Sequence, residues 1–221
     1  MHKLRTGLLL VLALLAVAIP LAADTAYVPI AHSRATGDFT LTTEVWVSNE
    51  TDAVHGFTAL FLPAGSDGTV ATLRDTDPAI RWVAPGESKV FKNLVPDDGR
   101  GMLELWGSGV LKFDAQMAIY DASGALSQNV DLPIITSENL VQGGVESTVQ
   151  GLGRNSNGKQ ANIGLANLGH ESINCFVSLS LADGTKLASG ASLILQPLTV
   201  WQFDDPFFQL LSVDEVPDGA R

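Results

Sequence analysis

The acidic pairs are the first residues to weigh for chemistry: Asp75 and Asp77, Asp97 and Asp98, Asp204 and Asp205, Asp214 and Glu215. Calcium takes oxygen ligands of this kind from loops, and two carboxylates across a cleft serve glycoside hydrolysis. None of the pairs has the spacing of a calcium-binding loop, and Asp beside Gly at a strand end is ordinary turn chemistry. They read as solvated turn residues. His32, His55 and His170 stand apart without a ligand spacing, and read as exposed loop positions. The single cysteine, Cys175, excludes an intrachain disulfide. It alternates with Ile173, Val177 and Leu179, as a small buried hydrophobe would, and nothing pairs it with a base. No Gly-x-Ser-x-Gly elbow, phosphate loop or dinucleotide fingerprint occurs. The expectation is a protein that is not an enzyme, with no catalytic residue, no metal and no cofactor.

Trp46 is a different kind of candidate. It lies between Glu44 and Ser48 on the polar face of an alternating stretch, where an indole can stack on a sugar ring or anchor a protein partner. Burial under a loop or between domains is the structural alternative. Trp46 and Glu44 are therefore the candidate ligand-binding residues, and Trp82, Trp106 and Trp201 are assigned to core or rim. Asn49-Glu-Thr51 fits the glycosylation sequon. Its counterpart Asn167 lacks the threonine, so a structural role at a strand end accounts for both asparagines.

The elements that carry these residues occur twice. Thr43-Glu-Val-Trp-Val-Ser-Asn49, a polar link, Phe57-Thr-Ala-Leu-Phe61 and the turn Ser66-Asp-Gly68 form the first copy. Ala161-Asn-Ile-Gly-Leu-Ala-Asn167, a polar link, Cys175-Phe-Val-Ser-Leu179 and the turn Ala182-Asp-Gly184 form the second, displaced by about 118 residues. Phe39 to Ser48 alternates with period two: Phe39, Leu41, Thr43, Val45 and Val47 face one way, and Thr40, Thr42, Glu44, Trp46 and Ser48 the other. Further strands are expected at 26–31, 56–62, 70–73, 80–84 and 89–94, with a hairpin of 102–106 and 112–120 across Gly107-Ser-Gly109. No amphipathic helix is evident. Asp131-Leu-Pro-Ile-Ile135 echoes Tyr27-Val-Pro-Ile30 and is expected to open the second copy, in which Leu193 to Pro197 matches Ile80 to Pro85 and Val216-Pro-Asp-Gly219 is expected to be a turn.

The fold class is therefore all-β: two tandem antiparallel β-sandwich (immunoglobulin-like) domains at 24–124 and 125–221. The second is incomplete at its C-terminus, which has no counterpart of Met102 to Tyr120, as in a fragment of a longer chain. Residues 1–23 read as a signal peptide: Lys3 and Arg5, an apolar run Gly7 to Ile19, and the small-residue exit Pro20-Leu-Ala-Ala23. That run is short for a bilayer span, which needs roughly 20 apolar residues. The expected location is secreted, extracellular or periplasmic, with no membrane span in the mature chain. A 46% hydrophobic chain with only 17% charged residues can bury a core. A net charge of −11 with no basic cluster excludes nucleic acid as a natural partner.

These residues carry a resemblance. The leader followed by Tyr27-Val-Pro-Ile-Ala31, the strand ending at Asn49, Phe61-Leu-Pro-Ala-Gly65, Ala84-Pro-Gly86, Gly151-Leu152 and Asn162 to Asn167 resemble secreted bacterial proteins of no assigned chemistry built from tandem immunoglobulin-like β-sandwiches. The resemblance implies an extracellular or cell-surface module and carries no active-site residues. The functional expectation is a non-catalytic secreted or cell-surface structural or adhesion-type module contacting other proteins. The alternative is a carbohydrate-binding module using exposed Trp46. The expected partner is a protein or glycan at the cell surface.

Overall fold

The computed structural model describes residues 23–65, 79–145, 152–154, 163–169, 171–181, 183–203, 206–213 and 216–220. The fold is all-β and antiparallel. Among the described residues the first sheet has nine strands: β1 Ala23–Thr36, β2 Phe39–Asn49, β3 His55–Pro63, β4 Arg81–Val83, β5 Ser88–Phe91, β6 Gly99–Ser108, β7 Leu111–Asp121, β8 Leu126–Leu132 and β9 Ile135–Thr136. Its main path runs β4-β3-β6-β1-β2-β7-β8, with β5 beside β2 and β9 beside β1. The sheet forks within its two long central strands. Ala26 and Tyr27 of β1 pair with β9, whereas Ser33 to Thr36 pair with β2. Phe39 to Thr42 of β2 pair with β1, whereas Val45 to Ser48 pair with β5. This divergence curls the sheet into a half-barrel. Pro29, which has no N–H to give a ladder, lies where the β1–β6 register shifts between Val28 and Ala31.

The concave face holds the main core, with Val28, Val45, Val47, Phe57, Leu103 and Leu105 essentially inaccessible. The Phe57 ring meets Phe91 and Phe113 edge-on, at centroid distances of 4.9 and 5.6 Å. Each such side chain contributes roughly 1.5–3 kcal/mol when buried. Gly101 lets β6 close against β3, because a Cβ there would come within 2.0 Å of the Leu62 carbonyl oxygen. On the convex face Tyr27, Leu60, Leu62 and Met102 form a second cluster, covered by Val200 and flanked by Leu168, Leu140 and Ile135.

The remaining strands form pairs. β10 Leu152–Arg154 pairs with β15 Val216–Ala220, β11 Ile163–Ala166 with β14 Val200–Phe203, and β12 Ile173–Ser180 with β13 Lys186–Leu195. A short helix, α1 Pro206–Leu211, begins at a proline, the residue suited to a first helical turn. Its Phe207 packs on Leu179, with Ala188, Leu211 and Val213 around it. No helix among the described residues is long and apolar enough to cross a membrane.

Several local expectations change. β6 and β7 are not a hairpin: β6 pairs with β3 and β1, and β7 with β2 and β8, so Gly107 to Val110 crosses between different neighbours. Residues 126–136 do not open a second unit; as β8 and β9 they extend the first sheet. The first strand is longer than the expected 26–31, since β1 runs to Thr36 and turns at Gly37. Val216 to Gly219 lies in β15 rather than in a turn. Phe39 is 47% exposed, so the alternation of β2 buries its inner row only from Thr43 onward. The expected leader (apart from Ala23), the turn at 66–68, the strand at 70–73, Asp75, Asp77, His170, Ala182, Asp204, Asp205, Asp214 and Glu215 lie outside the described residues.

Candidate functional site

Trp46 and Glu44 share the convex face of β2 but sit in different environments. Trp46 is 40% exposed, between Val90 of β5 and Asp114 of β7 in the sheet register. Glu44, two residues away, is buried. Its Oε1 accepts a 2.6 Å hydrogen bond from the Tyr120 hydroxyl and meets Lys92 Nζ at 2.8 Å, while Lys92 also donates to the Tyr120 oxygen at 3.2 Å. Desolvation pushes the Glu44 carboxyl upward, but the hydrogen bonds from Lys92 and Tyr120 and the Lys92 charge outweigh it and leave its pKa below the ordinary value. The hydrogen bond to Glu44, then that to Tyr120, raises the Lys92 ammonium above its own. Glu44 is thus committed to an ion pair with Lys92, just beyond β5, and to the hydroxyl of Tyr120 on β7, and only Trp46 of the two presents a surface to a ligand.

The two asparagines are structural. Asn49 Nδ2 donates to the carbonyls of Ala53, Val83 and Ala84 at 2.7, 3.1 and 3.1 Å, and its Oδ1 accepts from the N–H and hydroxyl of Thr51. Asn167 Nδ2 donates to the carbonyls of Glu171, Leu195 and Gln196 at 2.7, 3.0 and 3.1 Å, and its Oδ1 accepts from Gly169 N–H. Each ties a strand end to the two carbonyls preceding a proline turn, Pro85-Gly86 in one case and Pro197-Leu198 in the other. Leu198 adopts φ of 58°, matching Gly86 at 67°. The register around them corresponds as well: Val45 faces Phe91 as Ile163 faces Phe203, and His55 faces Val83 as Ile173 faces Leu195. Asn49 is 1% exposed with its amide fully occupied, which leaves no group to glycosylate in the folded chain.

Of the titratable residues weighed for chemistry, Asp97 and Asp98 lie in an exposed turn as expected, whereas His32 and His55 lie in strands rather than in exposed loops. His32 is buried in β1, and its backbone N–H donates to Thr43 Oγ1. His55 begins β3, with its Nδ1 3.0 Å from Ser108 Oγ. Asp97 and Asp98 form the turn before β6, Asp98 at φ of 58°. Cys175 is half-buried and its thiol is pushed up by desolvation, away from thiolate reactivity. No three His, Cys, Asp or Glu among the described residues gather to hold a metal ion.

Sequence reasoning missed a groove where the later strands meet the first sheet. It has a volume of about 670 Å3 and runs between Phe61 to Gly65 at the end of β3, the Asp98-Gly-Arg100 turn, β14 and Gln209 of α1. Trp201 and Phe203 stack along β14, with centroids 5.9 Å apart and planes at 23°. Trp201 is 41% exposed, and Trp82 is 59% exposed against Gly56, so neither is a core residue. Gln202 pins the groove: its Nε2 donates to the carbonyls of Gly101 and Pro29 at 2.6 and 3.2 Å, and its Oε1 accepts from Arg100 Nε at 2.9 Å. The signal available in the sequence was the Trp201-Gln-Phe203 pattern, whose aromatics alternate on one strand.

Comparison with known protein families, with characterised proteins and with solved structures finds no match.

Proposed function

We propose that this chain is an exported, non-catalytic binding module, made of two immunoglobulin-like units of one design, that contacts other proteins through exposed sheet surfaces. The observation that carries the reading is the outer face of β12 and β13. Phe176 is 76% exposed and Ile194 65% exposed, and the register puts Asn174 opposite Ile194 and Phe176 opposite Ser192. The two apolar side chains are therefore diagonal neighbours on one face, and large exposed apolar groups grouped in this way favour protein contact. Two of the described acids are engaged within the sheet and its turns: Glu44 with Lys92 and Tyr120, and Asp121 with Ser123 and Ala125 in the β7–β8 turn. The matched asparagine clamps and strand registers support two units of one design.

The test is a crosslinking pull-down with the mature chain on the cell-envelope fraction of its source, compared with the Phe176→Ser, Ile194→Ser double variant. The reading expects proteins captured by the wild type and lost in the variant at unchanged melting temperature. An identical captured set would remove this face as the contact. The exposure of Trp46, on the face that also carries Tyr120, favours the second reading, a carbohydrate-binding module. A glycan array that responds to the wild type and not to Trp46→Ala would select it.

A further inference from the structure

We propose that β8 is an interaction edge whose partner is β8 of a second copy of this chain, the two strands pairing antiparallel about a two-fold axis at Val130. Among the described residues β8 has β7 as its only neighbour and ends the main strand path. The N–H and C=O groups along its outer side are therefore without a ladder partner there, and what satisfies such a row is another extended strand. The side chains of Leu126 to Asp131 are exposed, so neither face of the strand is covered. At the other end of the path lies β4, which is three residues long, and shortness is one way in which an edge is guarded against pairing. β8 is seven residues long and holds no Lys, Arg or Pro. Its one register shift lies between Leu126 and Gln128, which leaves Gln128 to Leu132 a regular run opposite Ala115 to Ile119.

The strand is held ready. Asp121 Oδ1 accepts from the Ser123 N–H, the Ser123 hydroxyl and the Ala125 N–H at 2.9, 2.6 and 3.0 Å, which fixes the turn into β8. Gln116 Nε2 of β7 donates to Asp131 Oδ1 at 3.1 Å. An edge fixed in this way loses little freedom when it pairs. The identity of the partner follows from the strand itself. Val130 is the midpoint of the regular run. Pairing about it sets Val130 opposite Val130 of the second copy, Gln128 opposite Leu132 and Asn129 opposite Asp131. Asp131, the only charged side chain of β8, then meets an amide that can donate to it, and no carboxylate stands directly opposite another. Val130 is 42% exposed and lies on the same side of the strand as Leu132, which packs against the main core, so the valine pair extends that core across the axis. Two identical edges satisfied against each other close the assembly at a dimer, whereas β8 paired with the β4 edge of another copy leaves an edge open at each step. The pairing is independent of the apolar face on β12 and β13.

The experiment is sedimentation equilibrium on the full mature chain at concentrations up to about 1 mM, with amide exchange followed over the same range. The wild type is expected to show a monomer–dimer equilibrium that strengthens from low to physiological salt, because two copies each of net charge −11 repel until screened. Exchange at Gln128 to Leu132 is expected to slow as the dimer forms, a readout that needs no variant. Val130→Lys and Val130→Glu each set like charges opposite one another across the axis, and are expected to stay monomeric with the melting temperature retained, the site being exposed. An equimolar mixture of the two is expected to recover the dimer, since lysine then faces glutamate. The Phe176→Ser, Ile194→Ser double variant is expected to dimerise as the wild type does, which separates this edge from the contact face on β12 and β13. A wild type that stays monomeric over the whole range overturns the proposal. So does a dimer without added protection at 128–132, a dimer that survives in both Val130 variants, or a mixture of them that fails to recover it.

Discussion

At the scale of single residues, the amide of Asn49 and the carboxylate of Glu44 do the most specific work. Asn49→Asp is nearly isosteric but cannot donate, so the carbonyls of Ala53, Val83 and Ala84 lose their partner and a charge is placed beside three acceptors. Leaving buried polar groups unsatisfied costs about 1–3 kcal/mol each. We expect a loss of about 3 kcal/mol or more in urea unfolding, and a variant as stable as wild type would show that the clamp is dispensable. The Glu44–Lys92 pair carries a pH signature. Glu44 is depressed in the folded state, so its contribution is complete above the ordinary value of 4.5 and is lost as pH falls through the lower folded value. Lys92 is raised, so its contribution is complete below the ordinary 10.5 and is lost as pH rises through the higher folded value. Glu44→Gln should cost about 1–2 kcal/mol at neutral pH, allowing for the half-exposed lysine. That difference should shrink on titration below the ordinary carboxylate range; a constant difference down to acid unfolding would sink the assignment. The structural role of Asn49 was legible because Asn167 recurs without the threonine. The Glu44 network was not, because Lys92 reaches it from just beyond the end of β5 and Tyr120 from β7, which only the sheet brings together.

At the scale of elements, the inner row of β2 was legible by its period of two from Thr43 to Val47, and all three odd positions are fully buried. Val47→Asp would bury a lone carboxylate and should cost about 4 kcal/mol or more; an unchanged melting curve would mean that the strand faces the other way. The β6–β7 connection misled because Gly107-Ser-Gly109 has hairpin composition, and local turn chemistry cannot tell which strands the flanking segments will pair with. The pairing of β8 and β9 was missed for a similar reason: the Pro-Ile echo is a local pattern, whereas their pairing with β7 and β1 is long-range. The sheet edges also set an order of protection. Val45 to Val47 are hydrogen-bonded between β5 and β7, whereas among the described residues Ile163 to Leu165 pair only with β14 and Cys175 to Leu179 only with β13. Amides of 163–165 and 175–179 should therefore exchange faster than those of 45–47 and 57–61. Equal protection in a dilute monomer would contradict this order.

At the scale of the whole molecule, the described contacts between the later strands and the first sheet centre on β14. Val200, 1% exposed, fills the convex cluster of Tyr27, Leu60, Leu62 and Met102. Its carbonyl accepts from Gly65 N–H at 2.8 Å, and the neighbouring Gln202 bonds Pro29, Arg100 and Gly101. None of this was readable from periodicity, because a Val within the Leu198-Thr-Val-Trp-Gln202 run looks the same whether it faces its own sheet or another. The joint should make the later strands depend on the first sheet more than the reverse. The first sheet keeps its concave core of Val45, Val47, Phe57 and Leu105 whatever happens at Val200. Among the described residues the later strands are two-stranded pairs, which are marginal without packing against another layer. Val200→Asp puts a carboxylate into an apolar cluster and should break the joint. We expect calorimetry to resolve two transitions in the variant, the lower one accompanied by exposure of Trp201 fluorescence and the upper one close to the wild-type melting temperature. A single transition lowered as a whole would show instead that the nine-stranded sheet needs β14 for its own stability, and that the convex cluster is part of its core.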